Sequence, residues 1–596
     1  MSISQSRLAL LALCFVQWVS GRVVQFQLDL TYEDVSVAGD VHKAIVSNGQ
    51  VPGPTLWLKQ GDDVEFLVNN SMSISTTVHF HGIEQLGTPW SDGVPGLSQL
   101  QIQPGEQFLY KWKASQYGSY IYHSHTRAQI DDGLYGAIYI EPADSVERPF
   151  HLISGSDADE QQAMLAAEKN TRPVIISDWR AFSSHDILQI QNESGVEAYC
   201  ANSVLINGKG SVICPSQEHI NAVTTEQQKQ ILGNVTLTDM GCLPPTPGVV
   251  GPYPYDLSKV PKGFYEGCTP SEGPTEVFKV NVSSRYASFD LISMAGSTSL
   301  VFSIDEHPMY VYAVDGRYVE PLLVDAVTVP VAARYSVMVP LKSEDQAGDY
   351  TVRVANNYAN QVINGTGVLS YDTATPKQIG PSQPYINEAG SNATATTVIL
   401  NETDVVPFPV VAPAKKADRT YILNVENANS SYTWTLGNQY PMSNEELDPP
   451  VLFNLSSISQ AYSAMTMNGT WVDLIINITT SGQPQHPIHK HSNKYFVIGT
   501  GNQPFIWSSV EEAMQEIPEN FNFENPQMRD TFYSPSSATG PSWLAMRYHI
   551  VNPGPFLLHC HLQMHHVGGL ALALLDGVDA WPTDIPEGYQ LPVMPI

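Results

Sequence analysis

Ten of the seventeen histidines in this 596-residue chain fall in four short clusters, and no other feature constrains the fold as much. The clusters are His79-Phe80-His81, His123-Ser124-His125, His486-Pro487-Ile488-His489-Lys490-His491, and His559-Cys560-His561 followed by His565. Successive side chains of an extended strand point to opposite faces, so both rings of each His-x-His pair share one face. Cys560 then points away from His559 and His561. His486, an odd number of residues from His489, points to the Cys560 side. A strand of this kind can serve two metal sites placed back to back. A thiolate with two imidazoles and a weak axial neighbour suits copper in an electron-transfer site. An electron accepted there can pass along the backbone to metals held by His559 and His561, which is wiring for an oxidase. One His-Cys-His run alone would be weak evidence, because a buried cysteine is commonly a small hydrophobe. Satisfied core histidines do not account for four clusters with a correctly offset cysteine.

The remainder reads as short alternating strands broken by Gly and Pro turns, such as Asp63-Val64-Glu65-Phe66-Leu67-Val68, which predicts an all-β sandwich. Strong helical periodicity is nearly absent, apart from a short helix expected over residues 157–169. The chain is too long for a single core, so several domains are expected. A degenerate internal repeat supports this. Gly118-Ser119-Tyr120-Ile121-Tyr122-His123 corresponds to Gly348-Asp349-Tyr350-Thr351-Val352-Arg353 and to Gly554-Pro555-Phe556-Leu557-Leu558-His559, and only the middle copy lacks histidine. Three similar sandwiches follow, over residues 22–150, 171–375 and 419–596. The first and last supply ligands, and the second supplies a spacer or substrate wall. Residues 376–418, rich in Pro, Thr and Asn, form a linker. His307, followed by Pro308, falls where the second copy could once have held a ligand, and its expected role is structural.

Residues 1–21 read as a secretory signal, with Arg7, an apolar run from Leu8 to Val19, and small residues at Ser20 and Gly21. That run is too short to span a bilayer, and no later stretch is long enough, so no membrane span is expected. A net charge of −30 argues against nucleic acid as a partner. Eleven Asn-x-Ser/Thr sequons, among them Asn69, Asn192, Asn234, Asn281, Asn364 and Asn477, fit a glycosylated secreted protein. With Cys14 in the signal and Cys560 given to copper, Cys200, Cys214, Cys242 and Cys268 imply two disulfides in any of three pairings.

The four histidine clusters resemble the copper signatures of the multicopper oxidases, the family of laccase, ascorbate oxidase and ferroxidase. The likeness extends to Val51-Pro52-Gly53-Pro54 and Trp90-Ser91-Asp92-Gly93-Val94-Pro95-Gly96. It implies three cupredoxin-like Greek-key β-barrel domains and four copper ions, with a three-copper cluster between the first and third domains. By that resemblance His486, Cys560 and His565 hold a type 1 copper with Leu570 in the axial place. His79 and His489 hold type 2 copper, and His81, His123, His125, His491, His559 and His561 hold the type 3 pair. Asp92 matches a carboxylate that assists proton supply, although without the family context it would be read as a turn residue.

The context Tyr122-His123-Ser124-His125-Thr126-Arg127-Ala128-Gln129 is most similar to fungal secreted laccase-like enzymes of pigment biosynthesis. The implied substrates are O2 and small phenols, such as pigment or polyketide precursors, oxidised one electron at a time. A monomer is expected, outside the cell or at a cell wall or spore surface. Several positions depart from relatives: Gln563 replaces an acidic residue, His566 follows His565, and Phe80, Leu100, Asn493 and Lys494 stand in unusual places. Asp92 would then carry more of the proton delivery. The competing readings are a ferroxidase, an ascorbate-oxidase-like enzyme, and a non-catalytic copper-binding protein.

Overall fold

The computed structural model describes residues 21–372, 381–438 and 440–589. The expected signal lies outside these residues except for Gly21. Three β-sandwiches follow one another. The first packs the sheet Asp40–Ser47, Val23–Val37, Asp63–Asn70, Gln107–Lys113 against the sheet Leu56–Lys59, Tyr135–Glu141, Gly118–Ser124, Val78–His81. Alternation decides which residues face inward: Val64, Phe66 and Val68 are buried while their neighbours are partly exposed. They meet Phe80, Tyr122 and Ile138 of the facing sheet in one apolar core. The second and third sandwiches each pair a six-stranded sheet with a five-stranded one.

The same crossovers recur three times. The opening strand of each unit runs parallel to a later one: Val23–Val37 beside Asp63–Asn70, Arg172–Trp179 beside Tyr286–Ser293, and Arg419–Asn427 beside Trp471–Ile478. The repeat seen in sequence maps onto equivalent strands, Gly118–Ser124, Asp349–Asn356 and Gly554–Cys560. Their cross-strand partners reveal what the middle unit lost. His123 faces His79 and His559 faces His489, whereas Arg353 faces Ser303. The vacant ligand positions of the middle unit are therefore Ser303 and Arg353, not His307. Arg353 pairs instead with buried Asp305 at 2.8 Å. His307 is structural, with Nδ1 2.8 Å from the Asp305 carbonyl and Nε2 2.7 Å from the Tyr371 hydroxyl.

The helix expected over 157–169 forms as Ala158–Lys169, with Asp157 capping the Glu160 amide. Further helices at Ser184–Ser194, Gln217–Val223 and Glu226–Leu232 were not expected. They are short and start at Ser183, Ser216 and Thr225 caps, so capping rather than a long apolar stripe marks them in sequence. Disulfides Cys200–Cys242 and Cys214–Cys268 tie this helical insert together and settle the pairing. Beyond residue 380 the expected linker is irregular but lies along the second unit, bridging Ala326 to Ile399 and Val319 to Pro407.

A buried charge cluster locks the three units. Arg334 of the second donates to Asp530 of the third through two bonds of 2.5 and 2.7 Å, and to the Ser119 carbonyl of the first at 3.1 Å. Lys494 also pairs with Asp530, and Arg529 pairs with Asp315 at 2.7 Å. Burial alone would raise the Asp530 carboxyl, but Arg334 and Lys494 hold it well below the usual range. Arg334→Met leaves buried carboxylates short of a partner, and equilibrium unfolding is expected to show a loss of about 3–5 kcal/mol.

Candidate metal centre

Eight of the clustered histidines converge where the first and third units meet. Ring nitrogens of His79, His81 and His489 lie within 4.8 Å of one another, as do those of His81, His123 and His561, and of His125, His491 and His559. Strand pairing produces this: the His79–His123 and His489–His559 pairs place four rings on facing surfaces, and rings from the two units stack at 3.8 Å (His79, His491) and 3.6 Å (His81, His489).

Hydrogen bonds fix which nitrogen points inward. His79, His123, His489 and His559 each direct Nδ1 to a backbone carbonyl, those of Asp92, Ser124, Asp530 and Cys560, at 2.6 to 3.0 Å. His81 is reversed, with Nε2 2.9 Å from the Thr531 hydroxyl. This leaves His79 Nε2, His81 Nδ1, His123 Nε2, His489 Nε2 and both nitrogens of His561 buried without a hydrogen-bond partner. Burial and neighbouring rings push His81 to about 4 and His491 to about 3, and hold His123, His125, His489, His559 and His561 well below their ordinary value. Neutral imidazoles with orphaned lone pairs suit metal ions, which would satisfy atoms otherwise costly to bury.

Asp92 joins the cluster from the turn after Pro89–Ser91. Its Oδ2 accepts from His491 Nδ1 at 2.9 Å, and Oδ1 lies 3.5 Å from His79 Nδ1. Gly93 makes the approach possible: its φ is +82°, and a Cβ there would fall 1.9 Å from the Val78 carbonyl oxygen. Burial pushes the Asp92 carboxyl up, but His491 and His79 outweigh it and hold it below the usual range.

On the opposite face Cys560 Sγ lies 3.7 Å from His486 Nδ1 and 3.6 Å from His565 Nδ1, and the two Nδ1 atoms are 3.1 Å apart. Leu570 is fully buried in the apolar cluster that contains Cys560, and its carbonyl accepts from the Cys560 amide at 3.0 Å. The Trp434 ring lies 4.3 Å from that of His565. Glu197 of the second unit reaches His565 Nε2 at 3.1 Å and keeps 16% of its side chain exposed. Against burial, Glu197 and the Cys560 sulfur push His565 up to about 10.

Family profiles described as multicopper oxidase match residues 29–145, 170–374 and 416–580. The chain belongs to the multicopper oxidase family. It is 44% identical to "Laccase abr2" of Aspergillus fumigatus, over 94% of this chain and 95% of that one. It is 40% identical to "Multicopper oxidase CTB12" of Cercospora beticola, over 96% and 92%. The laccase of Botrytis aclada shares the fold with a TM-score of 0.67 at 23% identity, covering 95% of this chain and 90% of that one. Fet3p, "a Multicopper Oxidase that Functions in Iron Import", does so with 0.66 at 20% identity, over 96% and 94%. As a multicopper oxidase the protein is an oxidoreductase with copper cofactors.

Every ligand candidate of this multicopper oxidase thus falls into one of the two clusters. Sequence reasoning missed the residues that surround them. Glu197, Trp434, Thr531 and the Arg334–Asp530 pair carry no local motif, because each meets its histidine only through tertiary packing. His566 had a signal in its position after His565; its ring lies 4.3 Å from that of His559 and 5.0 Å from that of His125. Gln563, in place of a carboxylate, turns its amide to the His561 carbonyl at 3.3 Å.

Proposed function

We propose that this multicopper oxidase is a secreted laccase-like enzyme that couples one-electron oxidation of phenols to four-electron reduction of O2 to water. The observation that carries the reading is Cys560 between His559 and His561 at the end of strand Gly554–Cys560, with its sulfur in one ligand cluster and its neighbours in the other. Copper supplies one-electron redox chemistry at both places when bound. His486, Cys560 and His565 are assigned to type 1 copper, His79 and His489 to type 2, and His81, His123, His125, His491, His559 and His561 to the type 3 pair, giving four ions.

The chain's own residues define the rest. His565 is the donor-facing edge, since its Nε2 meets a partly exposed carboxylate from another unit. Glu197 can accept the proton a phenol loses as its electron leaves, which keeps the phenol oxygen against the ring. The two peptide units either side of Cys560 form the covalent path between clusters. Asp92 orients His491 and His79 and holds negative charge where O2 reduction consumes protons. Fe(II) is favoured less, because Glu197 belongs to no group of three potential ligands among the described residues.

An oxygen electrode with copper-loaded protein and a panel of phenols, ascorbate and Fe(II) tests the reading. Phenols are expected to give the highest kcat/KM; a dominant preference for iron overturns it, and no oxygen uptake favours a copper-binding role. Leu570→Met supplies a thioether where hydrocarbon now lines the site, so the type 1 reduction potential is expected to fall. The swap conserves volume and should cost under about 1.5 kcal/mol. A level or higher potential in redox titration would reduce Leu570 to packing alone.

A further inference from the structure

Two sequons lie on the seam beside His565. Asn192 is exposed near the end of helix Ser184–Ser194; its Oδ1 accepts from the Tyr432 hydroxyl at 3.3 Å, and its Nδ2 makes no hydrogen bond among the described residues. Asn429 is exposed on the turn between strands Arg419–Asn427 and Trp434–Leu436, with a φ of +65° that asparagine tolerates. The two segments touch, since the Ser431 hydroxyl donates to the Gly195 carbonyl at 3.1 Å. Asn192 precedes Glu197 by five residues, and Asn429 precedes Trp434 by five. Each asparagine is therefore within roughly 18 Å of a residue that contacts His565, even along a fully extended chain. Asn477 is the opposite case: 6% exposed, it donates from Nδ2 to Asn424 and accepts the Phe505 amide at Oδ1.

We propose that Asn192 and Asn429 carry N-linked oligosaccharides that flank the donor entrance and set an upper limit on donor size. This rests on the secretory reading under the proposed function. In the modification, asparagine Nδ2 bonds to the anomeric carbon of an oligosaccharide carried on a lipid diphosphate. The anomeric C–O bond breaks, the diphosphate leaves with that electron pair, and Nδ2 gives up one proton. Asn192 keeps Oδ1 on Tyr432 while Nδ2 takes the sugar, so the observed side-chain geometry accommodates it. Single-ring phenols pass between the hydrated sugars to His565, whereas linked multi-ring phenols are held off.

The test uses full-length protein secreted by a eukaryotic host. Glycopeptide mass mapping is expected to find sugar on Asn192 and Asn429 and none on Asn477. Endoglycosidase trimming of the folded enzyme, and separately Asn192→Asp with Asn429→Asp, should raise kcat/KM several-fold for a multi-ring phenol while leaving that for a monophenol and the visible copper absorption unchanged. Aspartate keeps an acceptor for Tyr432 and tolerates the left-handed conformation, so folding is preserved. Bare Asn192 and Asn429 beside sugar on exposed Asn234 or Asn281 overturn this proposal alone. A chain without sugar anywhere overturns the secretory reading with it. Occupied sites whose removal leaves the ratio of the two phenols unchanged refute the size limit.

Discussion

Cys560→Ser is expected to abolish the strong visible absorption of the oxidised enzyme and reduce phenol turnover to background. A serine oxygen is a far poorer copper ligand than a thiolate, and under the proposed function the thiolate is the atom through which the electron enters the strand. The eight histidines across the sheet keep their positions, because Cys560 points from the other face and its sulfur contacts the imidazoles of His486 and His565 rather than theirs. Copper analysis should therefore find one ion lost per chain and three retained, with the near-ultraviolet and magnetic signatures of the three-copper cluster intact. Loss of all copper would show that the two clusters are not separable and would overturn the assignment.

Asp92→Asn is expected to retain its copper and its visible absorption while oxygen turnover falls by about 10- to 100-fold, the cost typical of removing a partner that orients metal-bound histidine. Asparagine is nearly isosteric and can still accept from His491 Nδ1 at the 2.9 Å contact, so the geometry survives. What disappears is a buried negative charge between His79 and His491, at the place where the proposed function puts O2 reduction and its proton supply. Gln563 supplies no carboxylate in compensation. Rapid reduction of the type 1 site by a phenol with slow reoxidation by O2 would place the defect in the oxygen step. Full turnover with full copper content would remove Asp92 from that role.

The first expectation is legible in the local chain, whereas that for Asp92 rests on the family resemblance. Period-two alternation is a property of the local chain, so His-x-His on a strand fixes a shared face and the offset of Cys560 fixes the opposite one wherever the strand lies. The threefold repeat was equally local, and its strands occupy equivalent places in the three units. His307 shows the limit of such reading. Similar sequence position suggested a lost ligand, but ligand equivalence is set by cross-strand register, which names Ser303 and Arg353. Short helices within the middle unit escaped because seven- to eleven-residue segments held by caps carry little periodicity.

The sequence by itself determined the all-β architecture, the two groups of clustered side chains and the family, because each depends on residue type and on local spacing. Only the tertiary structure decided the disulfide pairing, the ring nitrogen each histidine presents, and the company the clusters keep. Glu197 meets His565, Asp530 and Thr531 meet His81, and Arg334 grips Asp530 from a unit that supplies none of the clustered histidines. These contacts join residues hundreds of positions apart, and their energies come from shared burial. A buried carboxylate or guanidinium is stable only where packing delivers its partner, and no local pattern records that delivery.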